Sequence, residues 1–206
     1  MPRPSRRPVI CDAAIELAAT GGNHAVTHQG IDRHLDLPRG STSYYFRTRE
    51  ALIAAAVDRL VERSRDSFES RLAGDRMQPD RLIADYLDEL LTQRRSDVLA
   101  RLALMQDPAV DADARGALAR CLFSSPAAEG LMVALSAPDA TRAAADLITV
   151  LEGIVAVHIY GLRHSVTAVR GDLAESFQPM VQRALDVSSV RPLSLIHISE
   201  PTRLGM

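Results

Sequence analysis

From residue 8 to residue 186 the apolar side chains recur every three or four positions, and no stretch of useful length alternates with period two. Apolar residues at that spacing line one face of an α-helix, whereas period two marks a half-buried strand. The expected fold class is therefore all-α, with about nine helices. Composition agrees: alanine is abundant, aromatic residues are only 4% and tryptophan is absent, which suits packed helices better than a β-sandwich. No internal repeat is visible.

Local signals divide the chain. Gly21-Gly22 should stop a first helix over 8–20. Thr27 is a natural cap for a second, over 27–35. Pro38 fits the first position of a third, over 38–45. Thr48, with Glu50 in the first turn, should open a long fourth helix ending near Ala73-Gly74. Further helices are expected over 82–91, 98–105, 110–135 (kinked or split by Pro126), 139–162 and 172–186. Two short helices joined by a tight turn form a helix-turn-helix candidate over 27–45. Residues 193–203 read LSLIHISEPTR. That string looks like a translated sequencing adapter, the competing reading being a natural tail. It is set aside, which leaves expected domains of 1–49, 50–192 and a non-native 193–206.

Charge is uneven. All 24 basic residues are arginine, and the net charge is −2. Residues 1–49 carry seven arginines against Asp12, Glu16, Asp32 and Asp36, a formal +3, so the remainder is −5. A small basic module on a larger acidic body is the expected organisation. No window approaches ~18 uninterrupted apolar residues. Asp12 and Glu16 interrupt the run that follows Arg3, Arg6 and Arg7, so a cytoplasmic location is expected. Cys11 and Cys121 stand far apart, with no disulfide framework.

The N-terminal spacing carries the functional signal. It reads Thr27-x-x-x-Ile31, then Leu37-Pro38-Arg39-Gly40-Ser41-Thr42-Ser43-Tyr44-Tyr45-Phe46, then Thr48-Arg49-Glu50-Ala51-Leu52. Over about residues 8–60 this resembles the TetR family of bacterial transcription regulators. Three positions depart from the family pattern: Asp36 for a turn glycine, Pro38 for a capping serine and Ser43 for a tyrosine. The resemblance implies base-edge contacts from Arg39, Ser41 and Thr42, with Gln29 also in reach of a base. It implies phosphate contacts from Thr27, Ser43, Tyr44, Tyr45 and Arg49. Arg3, Arg6 and Arg7 form either a minor-groove arm or a solvated tail. Physically, a helix entering a major groove about 12 Å wide needs small outward side chains. Gly40, Ser41, Thr42 and Ser43 meet that need. Gly40 is explained either by close backbone approach to DNA or by tight packing on the second helix. Ile31, Leu35, Leu37 and Phe46 are the expected core of the motif.

The resemblance further implies a homodimer paired through 139–162 and 172–186, with Gly153 and Ala156 permitting close contact. The competing reading is a buried central helix in a monomer. It also implies a small-molecule effector. Phe68, Tyr86, Met105, Phe123, Met132 and His158 are candidate lining residues, with core packing the alternative for each. His24 and His28 do not share a helix face, so neither a metal site nor a cofactor is expected. No catalytic set is found, and no enzymatic activity is expected. The leading expectation is a ligand-responsive DNA-binding transcriptional regulator, most often a repressor, acting on a palindromic operator. The alternative is an all-α small-molecule-binding protein or enzyme with a vestigial helix-turn-helix.

Overall fold

The computed structural model describes residues 5–72 and 79–185, apart from the side chains of residues 68–72, 79 and 184. Among the described residues the chain is all-α, with ten α-helices and no strand. In order they are α1 (Arg7–Gly21), α2 (His28–His34), α3 (Ser41–Tyr45), α4 (Arg49–Leu72) and α5 (Pro79–Leu91). The remainder are α6 (Arg95–Met105), α7 (Ala112–Arg120), α8 (Ser125–Ala134), α9 (Ala140–Ile159) and α10 (Arg170–Leu185). A short 3-10 turn, Asn23–Ala25, joins α1 to α2. The tail at 193–206 lies outside the described residues, as does Arg3.

The capping residues set the helix starts. Side-chain oxygens of Thr27, Thr48, Asp111 and Asp139 accept from the backbone N–H of Gly30, Ala51, Ala114 and Arg142, at 2.8–3.1 Å. Each satisfies a donor that has no partner inside its helix. Gly22 ends α1 with φ 72°, a left-handed value that glycine adopts without steric cost.

Two boundaries differ from the sequence expectation. The third helix starts at Ser41 rather than Pro38, because Gly40 has φ 89° and cannot lie inside a right-handed helix. Nothing lies within 4 Å of where a Gly40 Cβ would sit. The glycine is therefore required by backbone conformation, not by packing on the second helix. The stretch expected over 110–135, kinked or split by Pro126, is two helices, and the break falls at residues 121–124, ahead of the proline. The Ser124 hydroxyl then caps α8, with Pro126 in its first turn, where a missing N–H costs nothing.

One apolar cluster runs through the molecule, from Ile10, Ala14 and Ile15 of α1 to Phe177 of α10. Helix α6 is its axis, packed by α1, α4, α5 and α7. It also carries or adjoins most of the buried charge. Arg94 donates from Nε to Asp97 (2.8 Å) and from Nη2 to the Ser64 hydroxyl of α4 (2.6 Å). Arg101 donates to the Leu118 and Ala119 carbonyls that end α7 and to Glu152 of α9. Helix α9 buries Ala143, Ala144, Leu147, Leu151 and Val155 along one face. Gly153 and Val157 remain exposed on it.

The N-terminal helices meet the body at Arg49, the first residue of α4. Its Nη1 and Nη2 grip both oxygens of Asp107 (2.9 and 2.5 Å), just past the end of α6. Its Nε and Nη2 also donate to the Val26 and Asn23 carbonyls. Asp107 has no exposed surface. The hydrogen bonds from Arg49 hold its carboxyl below the ordinary aspartate value. Breaking a fully buried pair costs about 3–5 kcal/mol. Arg49 is itself about a third exposed, so Arg49→Met should cost about 2 kcal/mol in urea unfolding.

Candidate nucleic-acid interface

Helices of seven and five residues, the lengths of α2 and α3, do not persist alone in water. Their geometry is imposed by what holds their ends. Asp32 of α2, only 4% exposed, holds the start of α3. Its Oδ2 accepts from the Gly40 amide (2.7 Å), and its Oδ1 from the Thr42 amide (2.8 Å) and hydroxyl (2.7 Å). Three hydrogen bonds to one carboxylate are stronger than neutral ones. They also satisfy amides that the short helix leaves free. Burial alone would raise the Asp32 carboxyl, but the bonds from Thr42 and Gly40 outweigh it and leave it below the ordinary value.

The other end of α3 is held by two cations or potential cations. Arg7 of α1 donates from Nη1 to the Tyr45 carbonyl (3.0 Å), with its guanidinium 4.3 Å from the Phe46 ring centroid. The Nε2–H of His28 donates to the Phe46 carbonyl (2.8 Å). Between the helices Asp36 takes φ 50°, the left-handed turn that aspartate tolerates better than most residues. Ile31 and Phe46 are fully buried beneath the motif, while Leu35 and Leu37 are half-buried.

This frame sorts the expected DNA contacts. Thr27, Gln29, Arg39, Gly40 and Tyr44 are exposed, and Tyr44 keeps 75% of its surface. Ser41, Ser43 and Tyr45 are half-buried, and the Ser41 hydroxyl donates to the Pro38 carbonyl at 2.6 Å. Tyr44 and Tyr45 meet edge to face at 5.3 Å. Two expectations are corrected. Thr42 has no exposed surface and spends its hydroxyl on Asp32, so it positions the helix and does not offer itself to a base edge. Arg49 is committed to Asp107 and two carbonyls, so its guanidinium faces the body and does not reach for a phosphate. Arg7 likewise belongs to α1 and the α3 frame, not to a loose arm. Sequence reasoning missed Asp32, whose only signal was an acidic residue in a basic segment. It also missed Arg47, exposed immediately after α3.

The six candidate lining residues do not form one site. Tyr86 and Phe123 meet edge to face at 6.0 Å, and the Tyr86 hydroxyl donates to the Leu122 carbonyl at 2.5 Å. Burial pushes the Tyr86 phenol up to about 12. Met132 is fully buried and Met105 half-buried, both in or against the core. The Phe68 side chain lies outside the described residues. His158 lines a pocket with Arg95 and residues 164–168. Burial raises the Cys11 thiol to about 11 and the Cys121 thiol to about 12, so neither is a thiolate at neutral pH. Among the described residues no group of His, Cys, Asp and Glu is arranged to hold a metal, and no helix is long and apolar enough to cross a membrane.

Residues 10–56 match the bacterial regulatory proteins of the tetR family. Among solved structures, the chain is similar to the multidrug binding protein EbrR complexed with ethidium. The two share 24% identity at a TM-score of 0.60, covering 85% of this chain and 98% of that one. It is similar to a TetR-family member from Streptomyces coelicolor A3 at 24% identity and TM-score 0.63, covering 89% and 100%. A transcriptional regulator from Aquifex aeolicus VF5 shows 16% identity and TM-score 0.61, covering 86% and 98%. No curated protein matches the chain.

Asp32→Ala strands three donors in or near the core, and should destabilise by about 3 kcal/mol in urea unfolding. Asp32→Asn, which keeps one acceptor, should cost less. Both Asp32 and Asp107 have folded-state values below the ordinary one of about 3.9. Their contribution is complete above that value and is lost as pH falls through the lowered ones. Thermal unfolding followed against pH should show Tm falling steeply below about pH 4 in the wild type, and less so in Asp32→Ala.

Proposed function

We propose that this chain, whose residues 10–56 belong to the tetR family of bacterial regulatory proteins, is a ligand-responsive transcriptional regulator that reads DNA with α3. The observation that carries the reading is the clamp of Asp32 on Gly40 and Thr42. It fixes a five-residue helix against α2 while Arg39, Gln29 and Tyr44 stay in solvent. An arginine fork can donate two hydrogen bonds to guanine O6 and N7, the commonest specific contact in the major groove. Gln29 offers an amide to a base, and Tyr44 and Thr27 offer hydroxyls to phosphates. Residues 1–49 act as the reading head and 50–192 as the body.

A helix of this length spans few base pairs, so a second copy is needed to make a specific site. Exposed Gly153, Val157 and Tyr160 on and just past α9, beside α10, support pairing of these helices with their copies. A two-fold dimer implies a palindromic operator. The likeness to EbrR, whose structure holds ethidium, supports a small-molecule effector that moves the reading heads. The Arg49–Asp107 pair ties the reading head to the end of α6, so a ligand that displaces α6 acts on the heads through it. DNA affinity then falls as far as the ligand prefers the displaced state.

Selection from random DNA should enrich a palindrome bound by two protomers, with affinity falling as salt rises. Absence of any enriched sequence from a folded dimer would favour the ligand-binding protein with a vestigial helix-turn-helix. On the enriched site, Arg39→Ala should weaken binding by about 1–3 kcal/mol and relax preference at one base pair, read by fluorescence anisotropy. Tyr44→Phe should weaken binding to all sequences alike.

A further inference from the structure

We propose that the half-open pocket of about 250 Å³ where α5 and α9 end and α6 begins is a binding site for a small hydroxycarboxylate. Arg95 supplies the cation. Among the described residues its side chain makes only long hydrogen bonds, 3.5 Å from Nη1 to the His158 carbonyl and 3.4 Å from Nη2 to the Ile159 carbonyl. Among the described residues it faces no carboxylate, whereas Arg49, Arg94 and Arg101 each hold one. A half-buried guanidinium without a counter-charge is costly, and a bidentate carboxylate is the partner its planar fork fits.

His158 supplies the second point. It is 93% buried and lines the pocket, with its Nδ1–H donating to the Ile154 carbonyl at 2.9 Å. With Nδ1–H committed, Nε2 is the ring nitrogen left to meet a ligand hydroxyl. A ligand that satisfies both groups therefore carries a hydroxyl as well as a carboxylate. Leu91, Val166 and Ala168 add apolar surface beside Thr92, His164, Ser165 and Thr167, which suits a short hydrocarbon or aryl body with polar groups at one end. Acids on α5 already face cations: Asp85 and Asp88 face Arg170, at 3.1 and 3.0 Å, and Glu89 faces Arg94 at 4.0 Å. The volume lies below the usual range of about 300–1,000 Å³ for drug-sized ligands, so the occupant is small.

Position adds a consequence that rests on the regulator reading. Arg95 opens α6, and Asp107 lies just past its other end, where it holds Arg49. An anion that draws Arg95 off the last carbonyls of α9 pulls on the helix that anchors the reading head.

Isothermal titration of the full chain without DNA tests the site apart from the regulator reading. Mandelate should bind saturably, with Kd of about 1 mM or tighter. Phenylacetate, which lacks the hydroxyl, should bind more weakly, and uncharged mandelamide should not bind. Arg95→Gln should weaken mandelate by about tenfold or more. Thr167→Glu, at an exposed loop position lining the pocket, should abolish binding by placing a carboxylate beside Arg95, without touching the core. His158→Phe should remove the advantage of mandelate over phenylacetate. The assignment is overturned if mandelate does not bind the folded wild type, or binds Thr167→Glu unchanged. It is equally overturned if inorganic phosphate or mandelamide binds as well as mandelate. Fluorescence anisotropy with and without mandelate then reads the coupling to DNA, and a site that binds without changing DNA affinity overturns the coupling alone.

Discussion

A helix of five residues has no stability of its own, and the proposed reading surface of this protein is built on one. What holds it is a single buried carboxylate. Asp32 takes the two amides and one hydroxyl at the start of α3 that would otherwise stand unpaired. Arg7 and His28 take the carbonyls at and after its other end. With both ends held by neighbouring helices, Arg39 and Tyr44 need not help fold the motif and stay in solvent. The division is visible in neighbouring residues. Thr42 is spent on the frame, while Arg39 and Tyr44 are not. Gly40 belongs to the frame too, because only a left-handed residue there lets its amide turn toward Asp32.

The same logic continues into the body. Arg49 plays at the start of α4 the part that Asp32 plays at α3, a charged group whose hydrogen bonds join elements distant in sequence. Its partner Asp107 follows α6, and α6 in turn carries Asp97 and Arg101, which reach α4 and α9 through ion pairs and α7 through a hydrogen bond to the Leu118 carbonyl. Pairs of this kind contribute little net stability, because desolvation offsets most of the attraction. They do select one arrangement, since any displacement leaves a buried charge unpaired.

The fold was legible because helical periodicity, caps and glycine stops are local. Thr27, Thr48 and Gly22 did as their chemistry required, and the helix-turn-helix spacing pointed to a DNA reader. Boundaries failed where a competing local effect won. The left-handed conformation of Gly40 overrode the helix-starting tendency of Pro38. The split expected at Pro126 came a few residues earlier, where the chain leaves the helix and the Ser124 hydroxyl caps the next one. Individual site residues were less legible. Residue type marks a side chain as able to bind DNA, but its neighbours in space decide whether it is free to.

By itself, then, the sequence determined the helices, the place of the reading motif and its polar, small-residue character. These follow from interactions between residues a few positions apart, which any conformation of the chain brings together. The tertiary structure alone decided that Asp32 and Thr42 are the frame, that Arg49 turns inward to Asp107, and that Arg95 and His158 share a pocket. Those pairings join residues 10 to 63 positions apart. No local rule distinguishes an arginine that will meet a buried carboxylate from one that will not. Only the packing of helices sets which charges share a low-dielectric space, and that packing is what turns a list of polar residues into a site.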